Sequence, residues 1–154
     1  MFSISFTDEL LEYPYDDVAI PAAPGCLILG ECREDFLANL SKWSKADYEQ
    51  HWYRELRSLI KGHSKIALIV SYNDPQAASN LEIWRIYRED ELVYFQNQLP
   101  WYDSLPPDFD PLKMSGYISD RIVTTPEGNR ISEWVVGLQE VQSFLHDSGI
   151  VEAD

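Results

Sequence analysis

The chain has 154 residues, 45% of them hydrophobic and 13% aromatic, and its 26 acidic side chains outnumber 12 basic ones for a formal net charge of −14. That length fits one domain, and so aromatic a composition argues against disorder. The charge repels phosphate backbones and anionic lipid, which excludes direct nucleic-acid and membrane-surface binding from the expectations.

The acidity is uneven. No Lys or Arg precedes Arg33, while Asp8, Glu9, Glu12, Asp16, Asp17 and Glu31 do; none follows Arg130, while Glu133, Glu140, Asp147, Glu152 and Asp154 do. Such a field attracts a basic protein partner and speeds its association; acidity also simply keeps a protein soluble. Cys26 and Cys32 have apolar residues between them and no His-rich segment after them, so they read as buried or half-buried free thiols, not as a zinc site. The N-terminus lacks the basic and apolar regions of a signal peptide, and no apolar run approaches the roughly 18 residues of a membrane span. A cytoplasmic protein is expected.

In chain order, Phe2, Ile4 and Phe6 alternate with Ser3 and Ser5, the period-two pattern of a half-buried strand. Ile20-Pro21-Ala22-Ala23-Pro24-Gly25 reads as loop, and Cys26 to Leu29 as a short strand. Phe36, Leu37, Leu40 and Trp43 fall at spacings of three and four, which predicts a helix from Glu34 to Trp43. Ser44-Lys45-Ala46-Asp47 resembles a capping box opening a second helix, with Trp52, Leu56, Leu59 and Ile60 as its stripe and Gly62 as its stop. Ile66 to Val70 is a continuous apolar run, as in a central strand buried on both faces. Leu81 to Arg88 and Leu92 to Gln96 form a hairpin about Glu89-Asp90. Pro100, Pro106, Pro107 and Pro111 make the next stretch irregular. Arg121 to Thr125 and Arg130 to Val136 flank Pro126-Glu127-Gly128-Asn129 as a second hairpin. Leu138, Val141, Phe144 and Leu145 mark a closing helix that stops near Gly149. The order predicts an α+β fold: a mostly antiparallel sheet of five to six strands, two helices in the N-terminal half and one at the C-terminus. Residues 1–150 are expected to form one domain, with Val151 to Asp154 a frayed tail.

The residues offer little catalytic chemistry. His51, His63 and His146 accompany no nucleophile elbow and suit surface or capping roles. The adjacent pairs Asp16-Asp17, Glu34-Asp35 and Glu89-Asp90 suit turns and helix starts, not two carboxylates facing across a cleft. Asp108 and Asp110 lack the further ligands and the glycine of a calcium loop. No glycine-rich phosphate cradle is present. The expectation is a binding protein and not an enzyme, with no cofactor and no metal.

Four segments carry a resemblance: Ser71-Tyr72-Asn73-Asp74-Pro75, Ile83-Trp84-Arg85-Ile86-Tyr87-Arg88, Tyr94-Phe95-Gln96-Asn97, and Gly128-Asn129-Arg130-Ile131-Ser132-Glu133-Trp134. In order and spacing they look like immunity proteins of bacterial contact-dependent growth inhibition systems. The likeness covers about residues 45 to 146 and reaches forward through Trp52-Tyr53-Arg54-Glu55-Leu56. It implies a cytoplasmic protein that binds a cognate toxin domain and blocks its active site or an essential surface. Family toxins are often nucleases, whose nucleic-acid grooves are basic, and an acidic inhibitor suits such a groove.

Two segments mix aromatic anchors with acids in the way binding hot spots do. One is Tyr13-Pro14-Tyr15-Asp16-Asp17, expected as a loop. The other is Trp101-Tyr102-Asp103, with Asp108 and Asp110 following. The candidate toxin-binding residues are therefore Tyr13, Tyr15, Asp16, Asp17, Trp101, Tyr102, Asp103, Asp108 and Asp110. The competing readings are an adaptor or secretion chaperone for a basic client, which needs a large exposed apolar surface, and a small enzyme of unrecognised type, which needs His51 or Asp108 and Asp110 in a concave pocket.

Overall fold

A computed structural model describes residues 1–7, 11–15, 18–76 and 78–149, and for residues 11–15, 18 and 19 the backbone alone. The tail expected at Val151 to Asp154 lies outside the described residues.

The first sheet is built on one long strand. β1 (Phe2–Phe6) and β2 (Leu11–Tyr15) follow one another along one edge of β3 (Val18–Leu29), and β4 (Cys32–Asn39) covers the other, all antiparallel. The loop expected at Ile20 to Gly25 is therefore strand. Its two prolines are tolerated because each faces a break in the pairing. The Pro24 carbonyl takes the Thr7 N–H at 2.9 Å, so the missing Pro24 N–H faces the gap between β1 and β2. The Pro21 carbonyl takes the Leu40 N–H at 2.9 Å, just past the end of β4.

The helix expected over Glu34 to Trp43 is β4 instead. Gly30, with φ +67°, begins a two-residue turn that pairs Leu29 with Cys32. A positive φ at the first turn position suits the right-handed twist of a hairpin. Burial then alternates, with Phe36 and Ala38 buried and Leu37 exposed, so pairing with β3 overrides a helical spacing of only four residues. The Phe36 ring lies across Gly25, its register partner. A Cβ built at Gly25 would fall 2.4 Å from the Phe36 ring and 2.9 Å from the Ser5 carbonyl oxygen.

The second helix is α1 (Lys45–Ile60). Its capping box is formed as expected: Ser44 Oγ accepts the Asp47 N–H at 3.2 Å, and Asp47 accepts the Ser44 N–H at 2.9 Å. Four more strands make a second antiparallel sheet in chain order: β5 (Lys65–Ser71), β6 (Glu82–Glu89), β7 (Leu92–Gln98) and β8 (Trp134–Gly137). The β6–β7 hairpin is the expected one, with Asp90 at φ 55° in its turn. The second expected hairpin shrinks to a bridge between Thr124 and Arg130, and β8 pairs with β7. Arg121 to Val123 forms no strand: the Ile122 carbonyl is taken by the Gln96 side chain at 2.8 Å. α2 (Leu138–Asp147) closes the described fold. The α+β class stands, but the described residues form eight strands in two sheets and two α-helices, not one sheet of five or six strands and three helices.

Aromatic rings fill the core. Phe6 of β1 and Phe36 of β4 meet Trp52 of α1 at 4.9 and 5.7 Å between ring centroids, and Phe2 meets Phe95 of β7 and Phe144 of α2 at 5.4 and 5.3 Å. β5 is buried along Ile66 to Ser71 as expected, yet it is an edge strand, not a central one. Side chains satisfy outer backbone groups at Ala67 and Ile69. Ile69 N–H donates to His51 Nε2 at 2.9 Å, and its carbonyl accepts Trp52 Nε1–H at 2.7 Å. Ala67 N–H donates to Ser115 Oγ at 2.9 Å, and that hydroxyl donates to Glu55 Oε1 at 2.7 Å. The surface or capping role expected for His51 from sequence is thus overturned: its side chain is buried against β5.

Gly25→Ala is expected to destabilise the fold by about 1–3 kcal/mol through overpacking. Combined with Phe36→Leu it should cost less than the sum of the two, because they share one contact; additive losses in denaturant titrations would contradict the stacking. His51 yields a second prediction. Burial, helped by the nearby Arg54 charge, lowers its pKa from 6.5 to about 3. The unfolded chain therefore takes up the proton first, and stability falls as pH drops below about 6.5. Above the carboxylate range, near pH 5–6, this one proton contributes a slope approaching 1.4 kcal/mol per pH unit. His51→Gln, which keeps an acceptor for Ile69, should lack that part of the slope; identical slopes would refute the assignment.

Candidate protein-binding face

Face assignment in the second sheet follows from its register. Ile86, Phe95 and Trp134 share the side that meets the core, while Tyr87, Tyr94 and Arg85 share the other. The irregular chain between β7 and β8 lies across that second side, held largely by polar bonds. Tyr87 Oη donates to the Ser119 carbonyl at 2.9 Å, and buried Arg85 donates to Gln96 Oε1 at 3.0 Å. Gln96 in turn donates to Glu133 at 2.8 Å. Arg121 lies 3.8 Å above the Tyr94 ring centroid and pairs with Glu133 at 2.6 Å and Glu89 at 2.7 Å. These bonds hold Glu133 below the usual carboxylate range, chiefly through its hydrogen bond to Arg121.

The start of this segment is pinned most tightly. Trp101 bridges to Asn80. Leu81 N–H donates to the Pro100 carbonyl at 3.3 Å and Tyr102 N–H to that of Ser79 at 2.9 Å. A 3₁₀ turn over Tyr102–Ser104 follows, and Ser104 Oγ returns to the Trp101 carbonyl at 2.7 Å. Tyr102 Oη donates to the Asn73 carbonyl. Asn73 is the hub. Its Oδ1 accepts from Asn39 at 3.3 Å and Ser71 at 3.1 Å, and its Nδ2 donates to the Asn80 carbonyl at 2.9 Å. It thereby ties the end of β4 in the first sheet to the end of β5 in the second. Further on, Asp110 caps Leu112 N–H at 3.0 Å and opens a second 3₁₀ turn at Pro111–Gly116. Arg54 of α1 holds the Leu112 carbonyl at 3.0 Å.

On this frame apolar side chains face water: Trp101 is 60% exposed, Leu99 53% and Leu112 49%. Asp103 and Asp108 are exposed beside them. Asp74 and Asp110 lie close enough to Tyr72 to raise its pKa further, after burial; burial also raises that of Tyr102, with Tyr72 and Asp74 adding. Both phenols keep their protons while the carboxylates around them make the face negative. A pinned backbone, exposed apolar anchors and a surround of carboxylates are equipped to dock a cationic protein surface without prior ordering.

Of the residues expected to bind, this face gathers Trp101, Tyr102, Asp103, Asp108 and Asp110. Two of them also work within the fold: Tyr102 is half-buried and clamped to Asn73, and Asp110 is a helix cap. The Tyr13–Asp17 loop is corrected in part, since Tyr13 and Tyr15 belong to β2. Their side chains, and Asp16 and Asp17 altogether, lie outside the described residues. Tyr72, Asn73, Asp74, Leu99 and Leu112 belong to the same candidate face and are not among the residues named from sequence. Leu99-Pro100-Trp101 did carry a signal, an apolar run that neither enters a strand nor keeps helical spacing.

Of the residues an enzyme reading names, His51 and Asp110 hold backbone groups of the fold. His51 Nε2 is occupied by the backbone of β5, and its Nδ1, which bears the proton in that tautomer, meets no acceptor among the described residues. Among the same residues no cluster of three His, Cys, Asp or Glu side chains is placed to hold a metal, and no helix is long and apolar enough to cross a membrane. Cys26 is half-buried and Cys32 exposed, both free, so the expectation of burial fails for Cys32. Register separates them, since Cys26 faces Asp35 while Cys32 faces Leu29.

Comparison with known proteins gives three findings. The chain is 29% identical over 123 residues to the immunity protein CdiI of Enterobacter cloacae subsp. cloacae, across 80% of this chain and 84% of that protein. Its fold superposes, with a TM-score of 0.83 and 27% identity, on a chain of the solved CdiA-CT/CdiI toxin and immunity complex from Enterobacter cloacae, covering 97% of this chain and 99% of that one. The family model of the CdiI N-terminal domain matches residues 38–144, nearly the stretch that carried the resemblance in sequence. With that match spanning most of its length and taking in both the Asn73 hub and the pinned Trp101 segment, the chain belongs to the CdiI N-terminal domain family.

Proposed function

We propose that this protein binds and neutralises the toxin domain encoded beside it, acting in the cytoplasm as a stoichiometric inhibitor and not as an enzyme. The observation that carries this is the structural match, over 97% of the chain, to a chain of a solved toxin and immunity complex. The physical complement is the face built by Tyr72 to Asp74 and Leu99 to Leu112. Its backbone is ordered before any partner arrives, so binding does not bear the cost of ordering a loop. Its charge, within a chain of −14, selects a basic partner and accelerates the encounter. A nuclease domain has such a basic surface where it holds nucleic acid, and covering that surface blocks its substrate. Tyr13, Tyr15, Asp16 and Asp17 are proposed as further toxin-binding residues.

The test is co-expression with the C-terminal domain of the gene immediately upstream, followed by rapid-mixing kinetics on the purified pair. Cells should survive only with the intact immunity protein. Asp103→Asn with Asp108→Asn should slow association about two- to tenfold at low salt and leave melting unchanged, the difference shrinking as salt rises. Death despite co-expression, with no complex formed, would overturn the pairing. An association rate indifferent to both salt and substitution would move the contact to another face.

A further inference from the structure

Four of the five tryptophans are engaged with other rings. Trp43 packs against Tyr48, His51 and Tyr72; Trp52 packs against Phe6 and Phe36; Trp84 and Trp134 meet at 5.4 Å. Trp101 is the exception. It is 60% exposed, and among the described residues no ring packs on it and no cation sits over it. The exposed part of so large an apolar group contributes nothing to folding. Its backbone, by contrast, is fixed from both sides: by the bridge to Asn80, by the bonds at Leu81, Tyr102 and Ser104, and by the Tyr102 hydroxyl on the Asn73 carbonyl. The indole is free while its anchor point is not, which is the arrangement of a presented contact residue.

We propose that Trp101 is the anchor of the toxin-binding face and that its indole ring takes up a lysine or arginine side chain of the toxin domain; this rests on the immunity function proposed above. The choice of a cation follows from the surroundings. Exposed Asp103 lies two residues on, and Asp74 is close enough to act on Tyr102. These carboxylates repel an anion and hold a cation that approaches the ring. Indole is also the strongest aromatic acceptor for a cation, and the contact gains most once both groups lose water. An apolar socket on the partner is the alternative occupant, and it would accept leucine as well as an aromatic ring.

The experiment compares Trp101→Phe with Trp101→Leu by dissociation kinetics from the purified toxin domain. The side chain is exposed, so both variants should melt with the wild type. The Leu variant is expected to dissociate at least about tenfold faster than wild type and clearly faster than the Phe variant, since Phe keeps a ring face and Leu does not. Wild-type dissociation in the Leu variant would show that Trp101 is no anchor. Equal losses for Phe and Leu would overturn the cation assignment in favour of an apolar socket. Wild-type protein that neither binds nor protects would sink the immunity reading itself, and this inference with it, a result distinct from the other two.

Discussion

A strand at the edge of a sheet has backbone groups on one side that no neighbouring strand can satisfy. β5 is in that position and is buried as well, so each such group must find a side chain. α1 supplies His51 and Trp52 for Ile69, and the second 3₁₀ turn supplies Ser115 for Ala67, with Glu55 of α1 behind it. This requirement places α1 alongside the strand and brings the irregular chain after β7 back to it. It also fixes the state of His51, which accepts a hydrogen bond only while neutral.

The proposed binding face follows from the same demand. The connection from β7 to β8 runs from Leu99 to Glu133 without a regular strand, a length at which loops in compact domains are either functional or disordered. Here it is ordered by what it covers. Ser115, Ser119, Ile122 and Glu133 all bond to side or main chain of α1 and the second sheet, and Met114 and Ile118 are buried. The first sheet contributes through Asn39, which Asn73 and Ser71 join to the end of β5. Rigidity at Trp101 is thus the consequence of satisfying polar groups elsewhere. Its side chain remains exposed while the backbone around it is bonded at Pro100, Trp101, Tyr102, Ser104 and Leu105.

The sequence revealed those elements in which pattern and pairing agree. The capping box of α1, the apolar run of β5, the Glu89-Asp90 turn and α2 all combine a local signal with a matching tertiary role. It misled where a local signal was outweighed. Four apolar residues at helical spacing suggested a helix over Glu34 to Trp43, but the Gly30 turn pairs the segment with β3. Pro21 and Pro24 suggested a loop, yet both sit where pairing is interrupted. The acidic aromatic segment at Trp101 stands out in the sequence as a candidate because an unusual composition lacks periodicity. The Asn73 hub does not, since its bonds join residues as far apart as Asn39 and Asn80 and nothing local to a Ser-Tyr-Asn-Asp-Pro stretch announces them.

Everything turns on one claim: a face ordered in advance, Leu99 to Leu112 with Tyr72 to Asp74, meets the toxin domain. Amide hydrogen exchange on the free protein and on the complex tests it most directly. The account predicts that Tyr102, Ser104 and Leu105 are already protected in the free protein, as their backbone bonds require, and that the largest gain of protection on binding falls within that face. A flexible Trp101 segment in the free protein, or a dominant footprint elsewhere with residues 99–112 unchanged, would contradict it.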